Sequence, residues 1–326
     1  MIVANKIKDV KGYDEFTEKH KTNFFYNKFW LKFLERNEEY PIYFYESNNG
    51  SITSFLGLSR INNDYYCMPR FVSEKIYFEN NIERYIKEFK KLKCNTVIID
   101  NISEKQARAL SKVGFIIYPS YIYPELTVSS IDGFWSNLER TKKRNILKKA
   151  IRKARNENLE IINVSSMEDV ESYFTLEKET MKRNNSIAKP LNYWKGIYEK
   201  VPSDKLLFLL AKKEGRVIAG RISIIDKNKI FNLRGVSLRE FQYCHANELL
   251  HLRIIEEAVT RDIPLIDYGA SAISHSGSYI FKKKFANKER LLWSAVYAVN
   301  STSREKYLEI ANKNKKHLEV FLNKSQ

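Results

Sequence analysis

The chain has 326 residues, which exceeds what one hydrophobic core usually supports and is comfortable for two domains. Hydrophobic residues make up 43% of it and aromatic residues 13%, which excludes global disorder. No apolar run reaches the roughly 20 residues that span a bilayer, and the charged N-terminus lacks the apolar core of a signal peptide. The three cysteines are scattered, as is typical of a reducing compartment, so a cytoplasmic location is expected.

The formal net charge of +17 is unusually high. A positive field of this size attracts nucleic acid, nucleotide-linked substrates or an anionic membrane surface. The alternative is that the excess lysine only builds a solvated surface. The charge is concentrated in residues 140–155, 282–288 and 313–316, which favours a functional contribution. We therefore consider tRNA and the inner face of the membrane as partners.

The first part of the chain reads as a β-hairpin, a third strand, a helix, a buried strand, a second helix and a closing strand. The hairpin turn is predicted at Gly50 because alternating apolar segments flank it. The buried strand ends at Asp100 and the second helical segment ends at Phe115. These elements are predicted at residues 43–46, 52–59, 65–68, 82–92, 96–100, 110–115 and 116–127.

The second part repeats this order, with Gly215 in the turn and Asp267 at the end of the buried strand. From glycine to aspartate the two copies span 50 and 52 residues, which indicates an internal repeat. Its elements are predicted at residues 206–211, 217–225, 230–236, 246–260, 264–267, 279–285 and 291–299. The mixed order of strands and helices predicts α/β layers in each copy.

A basic helix is predicted between the copies, at residues 134–156, with capping side chains just before it. A closing amphipathic helix is predicted at 302–323. These features place an N-terminal domain at 1–130, a second domain at 131–300 and a C-terminal helix at 301–326.

Several motifs in the second copy occur together. The basic helix carries Trp135, Leu138 and Arg144, and the segments TMKR (180–183) and PLNYW (190–194) follow it. The copy then reads IDYG (266–269) and GSYIFKKKF (277–285), and the first copy opens with NFF (23–25) and WLK (30–32). From about residue 24 to 299 the chain resembles the FemAB-like branch of the GNAT superfamily.

The resemblance implies an α/β fold of two tandem GNAT-like domains, each a mostly antiparallel twisted sheet flanked by helices. It implies an N-acyltransferase whose donor, acyl-CoA or aminoacyl-tRNA, is a co-substrate rather than a tightly bound cofactor. The acceptor would be an amine on a small molecule or nucleotide-linked envelope precursor, such as a peptidoglycan peptide or an amino sugar. No heptad insertion is present in the second copy, so the chain is similar to the members without a coiled-coil arm.

The resemblance also implies site residues. Lys282 matches the family lysine that stabilises the oxyanion or the leaving group, and Phe281 packs beside it. On spacing alone, Lys282 could equally be a solvated lysine at the edge of a helix that buries Phe281 and Phe285. Arg183 matches an arginine that holds the phosphates of a nucleotide-sugar acceptor, a task suited to a guanidinium. The alternative is an exposed helix arginine.

Other candidate substrate-binding residues are Arg234, Lys32, Trp30 and Tyr193. Arg234 lies in an apolar strand, and a half-buried arginine requires an anionic partner, either a substrate or a structural carboxylate. Lys32 and Trp30 lie near the opening segment that contacts the acceptor in the family, although a helical tryptophan also suits a core. Tyr193 belongs to the PLNYW segment.

Candidates for handling the amine proton are Asp267, Tyr279, His275 and Glu248, of which we retain Asp267 and Tyr279 as catalytic. Asp267 could instead cap the turn that follows its strand. We expect no metal, because Cys244, His245 and His251 lack a further ligand at usable spacing.

The segment that precedes the helix at 246–260 contains no glycine, whereas most GNAT enzymes hold the pyrophosphate of acyl-CoA with a glycine-rich loop there. The leading interpretation remains an N-acyltransferase. The alternative is a non-catalytic, basic GNAT scaffold that binds nucleic acid or the cell envelope through residues 140–155.

Overall fold

The computed structural model describes residues 1–37, 39–61, 63–68, 81–138, 141–273 and 277–325. The protein is a mixed α/β structure, as predicted. Its strands are β1 Ile2–Ala4, β2 Glu39–Asn48, β3 Ser51–Ile61, β4 Asp64–Met68, β5 Thr96–Ile102, β6 Ile116–Thr127, β7 Glu160–Asn163, β8 Leu206–Lys213, β9 Arg216–Asp226, β10 Lys229–Ser237, β11 Leu265–Asp267, β12 Ser271–Ala272 and β13 Lys288–Ala298.

Its α-helices are α1 Tyr13–Lys19, α2 Lys28–Asn37, α3 Ile82–Phe89, α4 Glu104–Ser111, α5 Ile131–Ser136, α6 Thr141–Asn156, α7 Met167–Arg183, α8 Leu191–Lys200, α9 Ala246–Thr260, α10 Gly277–Lys283 and α11 Ser301–Ser325. The chain divides into two units. The first comprises Met1–Ile122, Ser271–Ser276 and Leu291–Gln326, and the second comprises Tyr123–Ala270 and Gly277–Arg290. Within the described ranges, no helix combines the length and apolarity that crossing a membrane requires.

In the first unit, strands β1 to β5 form a sheet in chain order. The predicted hairpin is β2–β3, which turns through Gly50 at a φ of +82°. Strand β5 pairs parallel with β4 over three residues and antiparallel with β13 on its other side, where Ile99 lies opposite Ala295. The helices α3 and α4 contribute Tyr85, Phe89 and Leu110 to the core.

The predicted placement of residues 291–299 at the end of the second domain is therefore corrected. These residues belong to the first unit, because β13 satisfies the backbone groups on the edge of β5 that β4 leaves free. The C-terminal helix is confirmed as α11, and it also belongs to the first unit. Its residues Tyr307 and Ala311 pack on Ile98, Ile116 and Tyr118.

In the second unit the sheet order is the last part of β6, then β11, β10, β9, β8 and β7. Strand β11 is antiparallel to β6 and parallel to β10. The parallel pairing ends at Phe231 and Asp267, whereas β10 continues to Ser237. Beyond Phe231, β10 therefore has no further pairing with β11, which ends at Asp267.

Two predicted boundaries differ from the observed ones. Residues 123–130 belong to the second unit, because β6 pairs there with β11. The basic segment predicted as one helix at 134–156 is two helices, α5 and α6. Helix α5 begins early because the Ser130 hydroxyl accepts a hydrogen bond from the Gly133 N–H at 3.0 Å. The repeated order of hairpin, strand, helix and strand is present in both units.

Candidate functional site

A β-bulge in β10 decides which side chains face each side of the second sheet. Up to Asn232, which lies opposite Ser223, the β9–β10 register is regular, and it then shifts by one residue before Arg234. Because side chains alternate along a strand, the shift sends Arg234 and Gly235 to the opposite faces from those that an unbroken strand would give them. Gly235 lies opposite Arg221, so Asn232, Gly235 and Arg221 share one face.

Helix α9 covers this face. Ala219 and Ile225, at alternate positions from Arg221 along β9, pack in one cluster with Leu250 and Ile254 of α9. Helix α7 covers the opposite face, where its Tyr173 ring lies against Gly220. The two faces thus carry separate polar groups.

Lys282 lies on the α9 face, next to the turn that follows β11. Its Nζ donates hydrogen bonds to the carbonyl oxygens of Gly269 and Ala270, at 3.1 and 2.7 Å. Gly269 has a φ of +74°. A Cβ at this residue would be 3.3 Å from the backbone carbonyl oxygen of Asn232 and 3.9 Å from Lys282 Nζ. Burial lowers the pKa of Lys282 to about 8; the charge of Arg221 also lowers it, and Asp267 opposes.

Arg221 is a buried guanidinium beside this lysine. The residue is 8% exposed, and within the described part of the chain no carboxylate lies within ion-pair distance and no group accepts a hydrogen bond from its Nε. Burial lowers its pKa to about 10. A Cβ on Gly235 would lie 2.5 Å from Nη2, so the guanidinium fills the space that a side chain at Gly235 would need.

His251 and Tyr268 complete the buried polar groups of this face. The imidazole stacks on Phe285 at 4.5 Å, with Tyr268 and Phe281 each 5.1 Å away. Neither ring nitrogen of His251, nor the Tyr268 hydroxyl, has a hydrogen-bond partner among the described residues. Burial, and then the charges of nearby Arg221 and lysines, hold the pKa of His251 well below its usual value, so the imidazole is neutral.

Asp267 ends β11 and is 2% exposed. Its Oδ1 accepts a hydrogen bond from the Gly269 N–H at 2.7 Å, which is the turn-capping role that the sequence left open. Its Oδ2 has no partner among the described residues. Burial raises the pKa of Asp267 to about 6, although the Gly269 N–H opposes this.

The opposite face holds three of the predicted residues. Arg234 Nε lies 3.7 Å from the Glu177 carboxylate of α7, so its partner is a structural acid. Burial raises the pKa of Glu177, while Arg234 and the Lys189 N–H oppose that rise. Arg183 Nη1 donates to the Ser237 carbonyl at 3.1 Å. The Tyr193 ring packs on Trp194 and faces the Lys189 ammonium at 5.1 Å.

Part of the chain matches a known family. Residues 141–283 match the acetyltransferase (GNAT) domain family. FemX is a structural neighbour at TM-score 0.62 and 13% identity, over 95% of this chain and 100% of that one. Residues 141–283 therefore belong to the GNAT superfamily. The predicted resemblance to its FemAB-like branch is thereby confirmed in the fold.

Two further structures are similar to this GNAT protein. L-PGS from Bacillus licheniformis has a TM-score of 0.63 at 13% identity, over 95% of this chain and 97% of that one. A tandem GNAT protein from the clavulanic acid biosynthesis pathway has a TM-score of 0.57 at 10% identity, over 84% and 88%. No curated protein matches by sequence. At these identities the likeness concerns the fold.

The GNAT domain brings some predicted residues together and separates others. Lys282, Asp267 and Phe281 lie at one locus, because Asp267 acts on the Lys282 charge and Phe281 packs on His251. Tyr279 is directed elsewhere: its hydroxyl donates to the Glu289 carboxylate at 3.0 Å and accepts from Lys283.

The remaining candidates lie apart from this locus. Trp30 is 1% exposed and packs among Phe24, Phe25 and Phe33, so it is a core residue of the first unit. Lys32 is an exposed residue of α2 in that unit. His275 lies outside the described residues. No group of three or more potential ligands among the described residues is arranged to hold a metal ion.

Sequence reasoning missed Arg221 and Tyr268 as site residues, and it considered His251 only as a metal ligand. The sequence does indicate Arg221 and His251 as unusual, since Arg221 interrupts the apolar strand VIAGRISII and His251 interrupts the apolar helix ELLHLRII. The criterion that selected Arg234, a charge in an apolar strand, applies equally to Arg221.

The segment between β10 and α9 differs from a glycine-lined phosphate loop. Residues Arg239–Cys244 form a 3₁₀ helix without glycine. The first turn of α9 carries the buried carboxylate of Glu248, paired with Lys284 at 3.1 Å. This carboxylate already occupies the electropositive end of the helix, where a phosphate would otherwise be favoured. The segment therefore does not fit the usual GNAT grip on the pyrophosphate of acyl-CoA.

Proposed function

We propose that this GNAT protein transfers an acyl or aminoacyl group to a primary amine of a cell-envelope precursor. The observation that carries the proposal is the partly buried Lys282 ammonium, which two backbone carbonyls hold next to the turn that follows β11. The GNAT domain and the likeness in fold to FemX and L-PGS support the reaction class.

The reaction follows from the hydrogen bonds of this ammonium. The acceptor amine attacks the carbonyl carbon of the donor, so a C–N bond forms while negative charge develops on the carbonyl oxygen. An ammonium has three N–H donors, and Gly269 and Ala270 accept from two of them. The third N–H donates to the developing oxyanion. When the intermediate collapses, the C–O or C–S bond to the leaving group breaks, the attacking nitrogen gives up a proton, and the departing oxygen or sulfur takes one up.

Aminoacyl-tRNA is the donor that we favour. The glycine-free segment before α9 and the Glu248 carboxylate in its first turn both oppose the usual hold on acyl-CoA. The net charge of +17 favours a polyanionic donor. A CoA thioester is the alternative, and the transfer assay separates the two.

The test combines donor choice with the lysine. Purified protein is supplied with aminoacyl-tRNA or acyl-CoA, and with a UDP-linked muramyl pentapeptide or an amino sugar, and product is followed by mass spectrometry. Lys282→Ala is expected to lower turnover by about 10²-fold or more, the cost of losing an oxyanion donor. The exposed Lys288→Ala is the matched control and should retain activity. Unchanged turnover in Lys282→Ala would overturn the proposed role.

Helix α6 supports a second candidate function, a polyanion-binding scaffold. Its exposed face carries a row of cations, none of which forms an ion pair with a carboxylate in the described part of the chain: Arg144, Lys148, Lys149, Arg152, Lys153 and Arg155. Ile146, on the same helix, is 54% exposed. A row of unpaired cations fits the phosphates of tRNA, with binding driven by release of counterions.

A salt titration of tRNA binding tests this face. Changing Arg144, Lys148, Lys149 and Arg152 together to glutamine should reduce the slope of log K against log salt by about 3. The matched control changes four exposed lysines of α11, namely Lys306, Lys313, Lys315 and Lys316. An equal loss in both variants would indicate unspecific attraction. Binding to anionic vesicles in place of tRNA would instead assign the face to a membrane surface.

A further inference from the structure

We infer that Arg221 forms the floor of an anion-binding subsite on the α9 face of the GNAT domain, where it takes a carboxylate or phosphate group of the substrate. The assignment of that anion to the substrate rests on the proposed function. The existence of the subsite rests on the unpaired guanidinium and on the donors that share its face.

The first step concerns charge. A buried guanidinium is costly unless an anion compensates it, and buried charges in proteins are normally paired. The Glu248 carboxylate attracts the Arg221 guanidinium but pairs with Lys284 at 3.1 Å, and Asp267 accepts a hydrogen bond from the Gly269 N–H. Lys282 adds a second positive charge to the face. Among the described residues, Arg221 thus has no carboxylate within ion-pair distance.

The second step concerns hydrogen bonds. Three buried donors on this face lack acceptors among the described residues: Arg221 Nε, the Asn232 Nδ2 amide and the Tyr268 hydroxyl. The Asn232 Oδ1 already accepts from the Ser223 hydroxyl at 2.6 Å, so the amide offers its N–H groups. The unpartnered Asp267 Oδ2 and the acceptor nitrogen of the neutral His251 ring do not bond to these three donors. A carboxylate or phosphate supplies several acceptor oxygens together with the missing negative charge.

The third step concerns space. Gly235 lies opposite Arg221, and a Cβ there would come within 2.5 Å of Nη2 and 2.8 Å of Cζ. The guanidinium thus lies against the backbone of Gly235. Any side chain at residue 235 would displace it. This gives a variant that displaces the charge without removing it.

The experiment measures anion binding without any transfer reaction. The full chain is titrated with acetate, glycine and inorganic phosphate, and binding is followed by calorimetry and by thermal stabilisation. We expect at least one of these anions to bind wild type, and Arg221→Gln and Gly235→Ala each to weaken that binding by about tenfold or more. Acetate or glycine binding would identify a carboxylate subsite, and phosphate binding a phosphate subsite.

The controls make the outcome decisive. Arg253→Gln alters a half-exposed arginine that already pairs with Glu257 at 2.7 Å, and it should bind as wild type does. Equal affinity in wild type and Arg221→Gln would overturn the subsite. No binding to wild type, together with a higher melting temperature in Arg221→Met, would also overturn it. The buried guanidinium would then only lower the stability of the fold.

Failure of the inference is distinguishable from failure of the proposed function. Anion binding that depends on Arg221, with no acyl transfer from any donor, would refute the proposed function alone. Acyl transfer that is insensitive to Arg221→Gln and Gly235→Ala would refute the assignment of the anion to the substrate and leave the proposed function standing.

Discussion

The burial of Lys282 should be measurable as a pH dependence of stability. Its pKa is about 8 in the folded protein, against 10.5 for a solvated lysine. Between these two values the unfolded chain retains the proton that the folded protein releases, so wild type becomes more stable as pH rises. Below pH 8 the folded protein bears the whole cost of a charged, partly buried ammonium.

The size of the effect follows from the two pKa values. Their difference corresponds to about 3 kcal/mol at pH 7, since each pH unit of separation is worth 1.36 kcal/mol. About 2 kcal/mol of this cost disappears between pH 7 and pH 10, as the lysine loses its proton in the folded protein. Lys282→Met has a side chain of similar length and no titrating group, so it lacks this gain.

Urea unfolding at pH 7, 8, 9 and 10 checks the expectation. The unfolding free energy of wild type minus that of Lys282→Met should shift by about 2 kcal/mol in favour of wild type across the range. Lys288→Met, which removes an exposed lysine, should show no comparable shift relative to wild type. A flat difference for Lys282→Met would show that this ammonium is solvated, and would refute the geometry from which the depressed pKa follows.

Three further expectations follow from the second unit. Turnover that depends on the ammonium form of Lys282 should fall above pH 8, and Lys282→Arg should lack that fall; a fall that persists in the arginine variant would assign it to another group. The pKa of Asp267 is raised to about 6 mainly by burial, so between pH 4 and pH 7 wild type should lose about 2 kcal/mol relative to Asp267→Asn in urea unfolding. Arg290→Met should cost about 3 to 5 kcal/mol by the same assay, because it leaves the buried Glu125 carboxylate without its bidentate partner. Arg253→Met, at a half-exposed pair, should cost about 1 kcal/mol or less, and comparable losses in both arginine variants would contradict the distinction.

The order of elements was predictable because local chemistry determines it. Gly50 and Gly215 both adopt positive φ in the hairpin turns, which few other residues tolerate, and apolar alternation defines the strands on either side. The strand that pairs with β5 was not predictable in the same way. Residues 291–298 would suit either sheet by pattern alone, and only the vacant edge of β5 assigns them to the first unit.

The residues of the candidate site were predictable where they belong to a sequence motif. They were not predictable where their position depends on the pairing register of two strands. Lys282, Phe281 and Asp267 came from local segments and do lie together. Arg221 and Arg234 look alike in sequence, since each is one charge in an apolar strand. The bulge after Asn232 separates them, because it directs Arg234 to Glu177 on one face and leaves Arg221 without an acid on the other. A one-residue shift of this kind leaves no mark in the periodicity.

The charges of Lys282 and Arg221 are linked, and this connects the lysine to the subsite. Arg221 is buried and Lys282 is partly buried, and the charge of Arg221 lowers the pKa of Lys282. An anion bound at Arg221 would cancel that repulsion, so the pKa of Lys282 should rise when the subsite is filled. The pH at which wild type gains stability over Lys282→Met should therefore move above 8 in saturating acetate, or in whichever anion binds. An unmoved midpoint would mean that the two charges act independently, and a charged substrate would then not favour the ammonium form that receives the oxyanion.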